Sequence, residues 1–462
     1  MKTNTRARSP FVARGHVWHT AALIATLCAI QTMAVGQVEA QGALTLGEAA
    51  RMAAQQHTSL DVVRSRVAQA DARVQQQRAA LYPDVSALLQ QASRTTNTAT
   101  FGFSFRDATG NFLFDPNGER LGPIPTTDAR YRVSQTLLDF GAYARVKAAK
   151  SVSSALAVEL NSAAEAAAAS AALAYIQVIR ADAQLAARVA DSLLAADLER
   201  IAREQLQAGV GIALDVTRAQ SQSASVRIQL ISTRGDRDRA RLQLRRALNL
   251  SADAPLVLAD SLSGLPFDAA TPDAVAVLSQ ALANRADLRL LKAQEDAQRS
   301  QAAAIRSERW PILAAVGDHG ALGRDWAHPI GTYTWGVQLS LHPFDGFRRG
   351  ARLQEQSAVS RELDARERDV RMQATLEVES ALLDITATRE QIAAVSDRLR
   401  FAEQEVSQAQ ERFRAGVAGN SDVIIALLSL NQTRTLRNDA LAAYHASRVA
   451  LARSTGALQQ LP

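Results

Sequence analysis

Two carboxylates stand in matching surroundings. Asp215 and Asp422 each follow a glycine by six positions and precede a valine. A carboxylate at the start of a helix can cap it or neutralise its dipole. Repeated around a symmetry axis, the same groups would form an acidic ring that favours cations. Arg130 and Arg132 alternate with Tyr131 and Val133 in an extended-looking stretch. On the wall of a pore they would lean it toward anions, unless the pore is wide and leaves them solvated. The histidines beyond position 40 are His57, His319, His328, His342 and His445, with His319 and His328 in one loop-like segment. None has metal-ligand spacing with acids or cysteine. There is no phosphate-binding glycine loop, no nucleophile elbow and no HExxH. No catalysis, metal or cofactor is expected. What chemistry there is concerns charge along a path.

The elements that position these residues are duplicated. Leu206-Gln207-Ala208-Gly209-Val210 returns 207 positions later as Phe413-Arg414-Ala415-Gly416-Val417. Each is followed by Asp-Val, at Asp215-Val216 and Asp422-Val423. Upstream, Tyr82-Pro83 pairs with Trp310-Pro311, and Leu138-Asp139-Phe140-Gly141 with Phe344-Asp345-Gly346. The stretch between those two landmarks is longer in copy one. An ordered set of such pairs identifies an internal repeat. The boundaries expected are 41–250 for repeat 1, a linker at 251–271 and 272–462 for repeat 2.

Neither Gly nor Pro occurs from Ala142 to Ala208, or from Ala351 to Ala415. Rich in Ala, Leu, Gln, Glu and Arg, these runs predict helices roughly 100 Å long. Helices that long persist by packing side by side. Each ends at a glycine suited to a left-handed cap, with tips near 209–215 and 416–422. Return helices follow, from Leu214 to Leu248 and from Asp422 to Thr455. Shorter helices precede, from Thr45 to Leu81 and from Pro272 to Arg309, ending before a proline. An earlier helix and a return helix stacked end to end would match one long helix.

Between short and long helices lie β-hairpins, about 84–139 and 312–345. In Thr332–Leu341, Tyr333, Trp335, Val337, Leu339 and Leu341 share one face, and polar or small residues share the other. Phe101, Phe103 and Phe105 have strand spacing, and a Gly- and Pro-bearing surface loop is expected at 112–125. A soluble half-buried sheet alternates in the same way. Aromatic placement favours membrane strands: beyond position 40, 14 of 20 aromatics fall in 101–143 and 310–347, as interfacial girdles require.

Positions 1–40 read as a signal peptide, with Lys2, Arg6, Arg8 and Arg14 before an apolar stretch and Val38-Glu39-Ala40 at the cleavage site. Cleavage would remove Cys28, the sole cysteine, and lower the formal charge from +6 to +3. The basic balance is therefore no argument for nucleic acid. Four strands cannot close a membrane barrel, since the smallest have about eight, and an open edge in lipid leaves backbone groups unsatisfied. Several chains must share one barrel: a dimer gives eight strands, a trimer twelve.

These residues resemble the TolC-like outer-membrane efflux protein family. The resemblance is carried by Leu44-Thr45-Leu46-Gly47-Glu48-Ala49-Ala50, Leu81-Tyr82-Pro83, Gln135–Gly141 and the doubled Ala-Gly-Val-x-x-x-x-Asp-Val, and it covers essentially the chain beyond the signal peptide. It implies a mainly α fold with a small membrane β part. Internally duplicated helical hairpins would form an α-barrel tunnel, and four strands per chain would enter a twelve-strand homotrimeric barrel in the outer membrane of a Gram-negative bacterium. The tunnel would cross the periplasm to a periplasmic adaptor (membrane fusion) protein and an inner-membrane transporter, as a passive duct for small molecules such as drugs. A type I protein-secretion duct shares the architecture; a soluble periplasmic coiled-coil scaffold does not. At the tips, Gly209, Val210, Ile212, Leu214, Asp215, Gly416, Val417 and Val423 are expected to dock the adaptor, against the alternative of packing on their own helices. The first tip would grip the adaptor and the more polar second tip would close the mouth. The resemblance further implies an acidic ring of two acids three positions apart at the second tip. Asp422 matches the first, and Ile425 replaces the second, which should weaken block by cations.

Overall fold

The computed structural model describes residues 43–102, 106–115, 117–267 and 273–458. The signal peptide, Phe103, Phe105 and part of the expected linker lie outside them. The chain runs through α1 (Leu46–Gln56), α2 (Thr58–Ala79), β1 (Asp84–Asn97), β2 (Arg120–Leu138), α3 (Phe140–Gln207) and α4 (Ala213–Ala247). The same succession then recurs as α5 (Ala274–Asn284), α6 (Ala286–Ser307), β3 (Ile312–Gly323), β4 (Ile330–Ser340), α7 (Arg348–Arg414) and α8 (Asn420–Ser454). The long helices α3 and α7 have 68 and 67 residues, about 100 Å at the helical rise. Asp139 starts α3 by accepting the Ala142 N–H at 2.8 Å. Thr45 and Glu48 form a reciprocal capping box on α1.

The helix expected over Thr45–Leu81 is two helices, broken at His57, and its counterpart breaks at Arg285. No Gly or Pro marks either break. The reason is tertiary. Asn249, just past the end of α4, donates to the Gln56 carbonyl at 3.0 Å and accepts from Thr58 Oγ1 at 3.1 Å. So α4 and α2 meet end to end where α1 turns aside. In the second half Gly456 holds the matching place against Asn284. Asn249 and Gly456 both adopt left-handed backbone, at φ 57° and 70°, the conformation that closes a helix C-terminus.

The main core lies at mid-height of the long helices. Ala49, Ala50 and Ala53 of α1 press on Ala167, Ala168, Ala171 and Ala172 of α3. The middle of α3 is apolar and long enough to cross a membrane, but half of that window is buried here, so its small residues serve close packing. The segment after α4 straps this level. Leu44 bridges Leu258 in parallel. Asp260 Oδ2 accepts the Leu46 N–H at 2.9 Å and lies 2.9 Å from the buried Tyr175 hydroxyl. Burial raises the Tyr175 phenol above its ordinary pKa. On α8, Phe267 of the strap stacks on Tyr444 at 4.7 Å between centroids, and Arg448 donates to the Pro266 carbonyl. His445 beside them is buried and donates to the Leu262 backbone.

The four strands form one antiparallel sheet in the order β1-β2-β3-β4. The two hairpins are thus joined through β2 and β3, with Tyr131 opposite His319 and Arg132 opposite Asp318. Among the described residues, strands β1 and β4 are free edges. Three sequence expectations change here. Phe101 ends a short 3-10 turn, Thr98–Phe101, and is not in a strand. β2 begins at Arg120 and pairs Ile124 with Arg94, so it takes over part of the expected 112–125 loop. His319 lies inside β3, while only His328 is in the following turn.

Burial and the nearby Arg448 charge lower the His445 pKa from 6.5 to about 4. The unfolded chain therefore binds the extra proton first, and the stability due to neutral His445 is present above pH 6.5 and lost as pH falls toward 4. Thermal unfolding should show a loss on the order of 2 kcal/mol between pH 7 and 5 from this group. His445→Gln should flatten that acid limb; an unchanged limb would refute the assignment.

Candidate functional site

The sheet has one apolar and one polar face. Tyr333, Trp335, Val337 and Leu339 stand exposed in a row along β4, Trp335 at 80%. Tyr131 and His319 continue the face, with ring centroids 5.5 Å apart. The other face carries the expected Arg130 and Arg132. Arg130 is not a free cation. Its guanidinium bonds Asp128 at 2.7 Å and Asp318 at 3.1 Å. Local pairing thus neutralises the charge by which Arg130 could lean a pore toward anions, and Arg132 faces Asp318 across the β2–β3 ladder. The solvated reading of Arg130 also changes, since its side chain is mostly covered. Sequence spacing offered no hint of Asp318, which comes from the other repeat.

At the opposite end the turns between α3 and α4 and between α7 and α8 close alike. Gly209 (φ 75°) and Gly416 (φ 70°) take left-handed backbone. Val210 N–H donates to Gln205 O and Val417 N–H to Arg412 O, both at 3.0 Å. Both glycines are exposed. Of the apolar residues expected at the tips, Val210, Ile212, Leu214 and Val417 are exposed, at 77, 57, 51 and 71%. Val423 is not. It is fully buried against Ile201, Ala219, Phe413 and Ala426, because the first turn of α8 is wedged between α7 and α3. It cannot meet a partner and is removed from the docking set.

Asp215 and Asp422 each lie in the first turn of a helix whose start has no side-chain cap. They therefore act on the dipole and are not caps. Asp422, Ile425 and Leu428 follow one another at helical spacing, and Ile425 and Leu428 are exposed, Ile425 at 62%. Asp422 itself is exposed.

The two tips are tied together by residues that sequence reasoning missed. Asn420, read only as part of a polar tip, is fully buried and donates to the Asp215 carbonyl at 2.7 Å. Arg218 donates to Ser421 Oγ at 2.9 Å, and Gln205 to the Phe413 carbonyl at 2.8 Å. Higher on the α3–α8 seam, the buried Asp191 receives Arg434 at 2.8 Å, Asn431 at 2.7 Å and Arg188 at 3.1 Å. Arg180 pairs with Asp439 at 2.8 Å. Asn420 and Asp215 stand 205 positions apart, and Arg434 and Asp191 243, so no local pattern could reveal them. Among the described residues no group of three His, Cys, Asp or Glu is placed to hold a metal.

The chain thus has two long helical hairpins ending in matched tips, and a four-strand sheet with an exposed apolar face. The family model described as outer membrane efflux protein matches residues 49–250 and 277–457. The chain belongs to that family. This efflux protein is an outer-membrane channel component, which sets aside the soluble scaffold. Its fold matches the Campylobacter jejuni CmeC outer membrane channel (TM-score 0.70, 16% identity, 89% of this chain and 85% of that one). It also matches the Neisseria gonorrhoeae MtrE outer membrane channel in its open state (0.68, 17%, 89% of each) and the outer-membrane channel OprN (0.71, 17%, 90% of each). No curated protein matches the sequence.

Asp191→Ala leaves the half-buried Arg188 and Arg434 without their shared carboxylate. It should cost about 3 kcal/mol, the lower end of the range for breaking a buried pair, and raise amide hydrogen exchange along the seam and both tips. Unchanged exchange there would show that the seam does not hold the tips.

Proposed function

We propose that three copies of this chain build the duct: twelve strands close one barrel in the outer membrane, and the helical hairpins enclose a tunnel through the periplasm. The single observation that carries this is the sheet itself, four strands with two free edges and an exposed apolar face. Lipid offers no hydrogen bonds to edge backbone groups, so β1 and β4 must be covered by neighbouring copies. The helices support the same closure. Ile228, Ile231 and Leu242 on α4, and Met372, Leu376 and Leu383 on α7, are exposed on the two flanks of the chain.

The duct is passive, with small molecules as cargo and no catalytic step of its own. An inner-membrane transporter supplies the energy, and a periplasmic adaptor joins transporter to tunnel. Val210, Ile212 and Leu214 at the first tip and Val417 at the second form the adaptor surface. The first tip grips. The second closes the mouth, with Asp422 as a ring of one acid per copy and Ile425 as an apolar ring beside it. A single ring of carboxylates, with no second acid at position 425, gives weak block by multivalent cations.

Light scattering of the purified protein should give three chains per particle, and planar bilayers should show one conducting pore per particle; a monomer without conductance defeats the proposal. In single-channel recordings Asp422→Ala should abolish what block trivalent cations produce. Block that survives the substitution takes Asp422 out of the mouth.

A further inference from the structure

The junction between β4 and α7 carries features that an export duct does not itself need. The segment from His342 to Phe347 is pinned from inside. Arg349 donates its backbone N–H and its Nε to Asp345 Oδ2, at 3.0 and 2.8 Å, and its Nη2 to the His342 carbonyl at 2.9 Å. On this fixed turn Phe344 and Phe347 stand edge to face, 5.4 Å between centroids, at 73 and 78% exposure. Phe347 also has left-handed backbone, at φ 65°. A bulky side chain in that region is strained. In the first repeat Asp139 leads directly into α3, with no such residue.

Two cations that make no direct ion pair flank the rings, although the Arg348 charge is near enough to act on Asp345. Arg309 lies over the Trp310 ring at 5.4 Å, and Arg348 is the first residue of α7. Both are exposed and neither has a carboxylate within ion-pair distance among the described residues. They belong to adjoining helix ends, as the Arg352–Glu308 bond at 2.7 Å between α7 and the end of α6 shows. In the first repeat Leu81 precedes Tyr82 where Arg309 precedes Trp310, while the Arg145–Asp139 pair at 3.2 Å is the counterpart of Arg349–Asp345 here.

We infer that Arg309, Arg348, Trp310, Phe344 and Phe347 form a binding site for the headgroup of an anionic phospholipid of the periplasmic leaflet, one per chain and only in the second repeat. The site rests on the membrane reading above. The apolar row Tyr333, Trp335, Val337, Leu339 and Leu341 runs down β4 into the Phe344–Phe347 pair, so the rings continue a lipid-facing surface to its border. The long helices leave from this border, which assigns it to the periplasmic leaflet. Two guanidiniums at that level match a phosphodiester charge, and basic clusters at such depths are headgroup sites. The rings supply the interfacial contact that aromatic belts supply in general.

The test is native mass spectrometry of the delipidated full-length protein titrated with phosphatidylglycerol. The expected result is saturation at one lipid per chain, with roughly tenfold weaker binding in Arg309→Gln/Arg348→Gln. Phe347→Gly should weaken binding while raising the thermal midpoint, since it removes strain and ring together. Equal binding in the double variant overturns the site. So does displacement by inorganic phosphate at matching concentration, which would mean a free anion, or selective retention of lipopolysaccharide, which would put the border in the other leaflet. Oligomeric state and conductance of each variant are measured alongside. If those fail in the unaltered protein, the channel reading fails; if they hold and lipid binding does not change, only this site does.

Discussion

Unsatisfied backbone at the edges of the sheet is the constraint from which the rest follows. Inside hydrocarbon every N–H and C=O must find a partner within protein. This chain joins its two hairpins through β2 and β3, which covers two edges and leaves two, β1 and β4. One subunit is therefore incomplete as a membrane object. The long helices share that incompleteness, since α3 is flanked on both sides by other helices of its chain while α4 and α7 keep bare apolar flanks.

The two repeats are copies in outline and unlike in detail. The matched left-handed glycines of the tips and the matched ends at Asn249 and Gly456 keep the same plan. Yet α3 lies at the centre of the chain and α7 at its flank. The first repeat supplies the Ala-rich helix that others press against. The second supplies a partly buried tip, through Asn420 and Val423, and a strained aromatic border at Phe347. Around the threefold axis proposed above this would give six similar hairpins in two alternating kinds, with the proposed mouth and adaptor surface on different tips.

Polar groups along the α3–α8 seam hold those kinds in register. Asp191, with Arg188, Asn431 and Arg434 around it, is a buried charge that is satisfied only when the two hairpins lie at one height. Such a network fixes alignment more than it adds stability. Apolar packing between long Ala- and Leu-rich helices can slide by a turn at little cost, and a polar seam cannot.

The duplication, the long helices, their glycine ends, the tip loops and the alternating strands were legible in the sequence, because each follows from local composition and spacing. Absence of Gly and Pro from Ala142 to Ala208 dictates a helix wherever the chain goes, and Tyr333-Thr334-Trp335 alternates whatever lies opposite. Asp215 and Asp422 were equally visible at helix starts. The breaks at His57 and Arg285 were not, since contacts from Asn249 and Gly456 impose them. Nor was the pairing of Arg130 with Asp318, the burial of Val423 or the role of Asn420. Each depends on which face of a helix or strand meets a segment of the other repeat, and periodicity sets the faces without naming the neighbour. Sequence determined the elements and their order. Tertiary structure alone decided which charges are spent on partners and which apolar residues stay exposed, because desolvation is a property of neighbours and not of spacing.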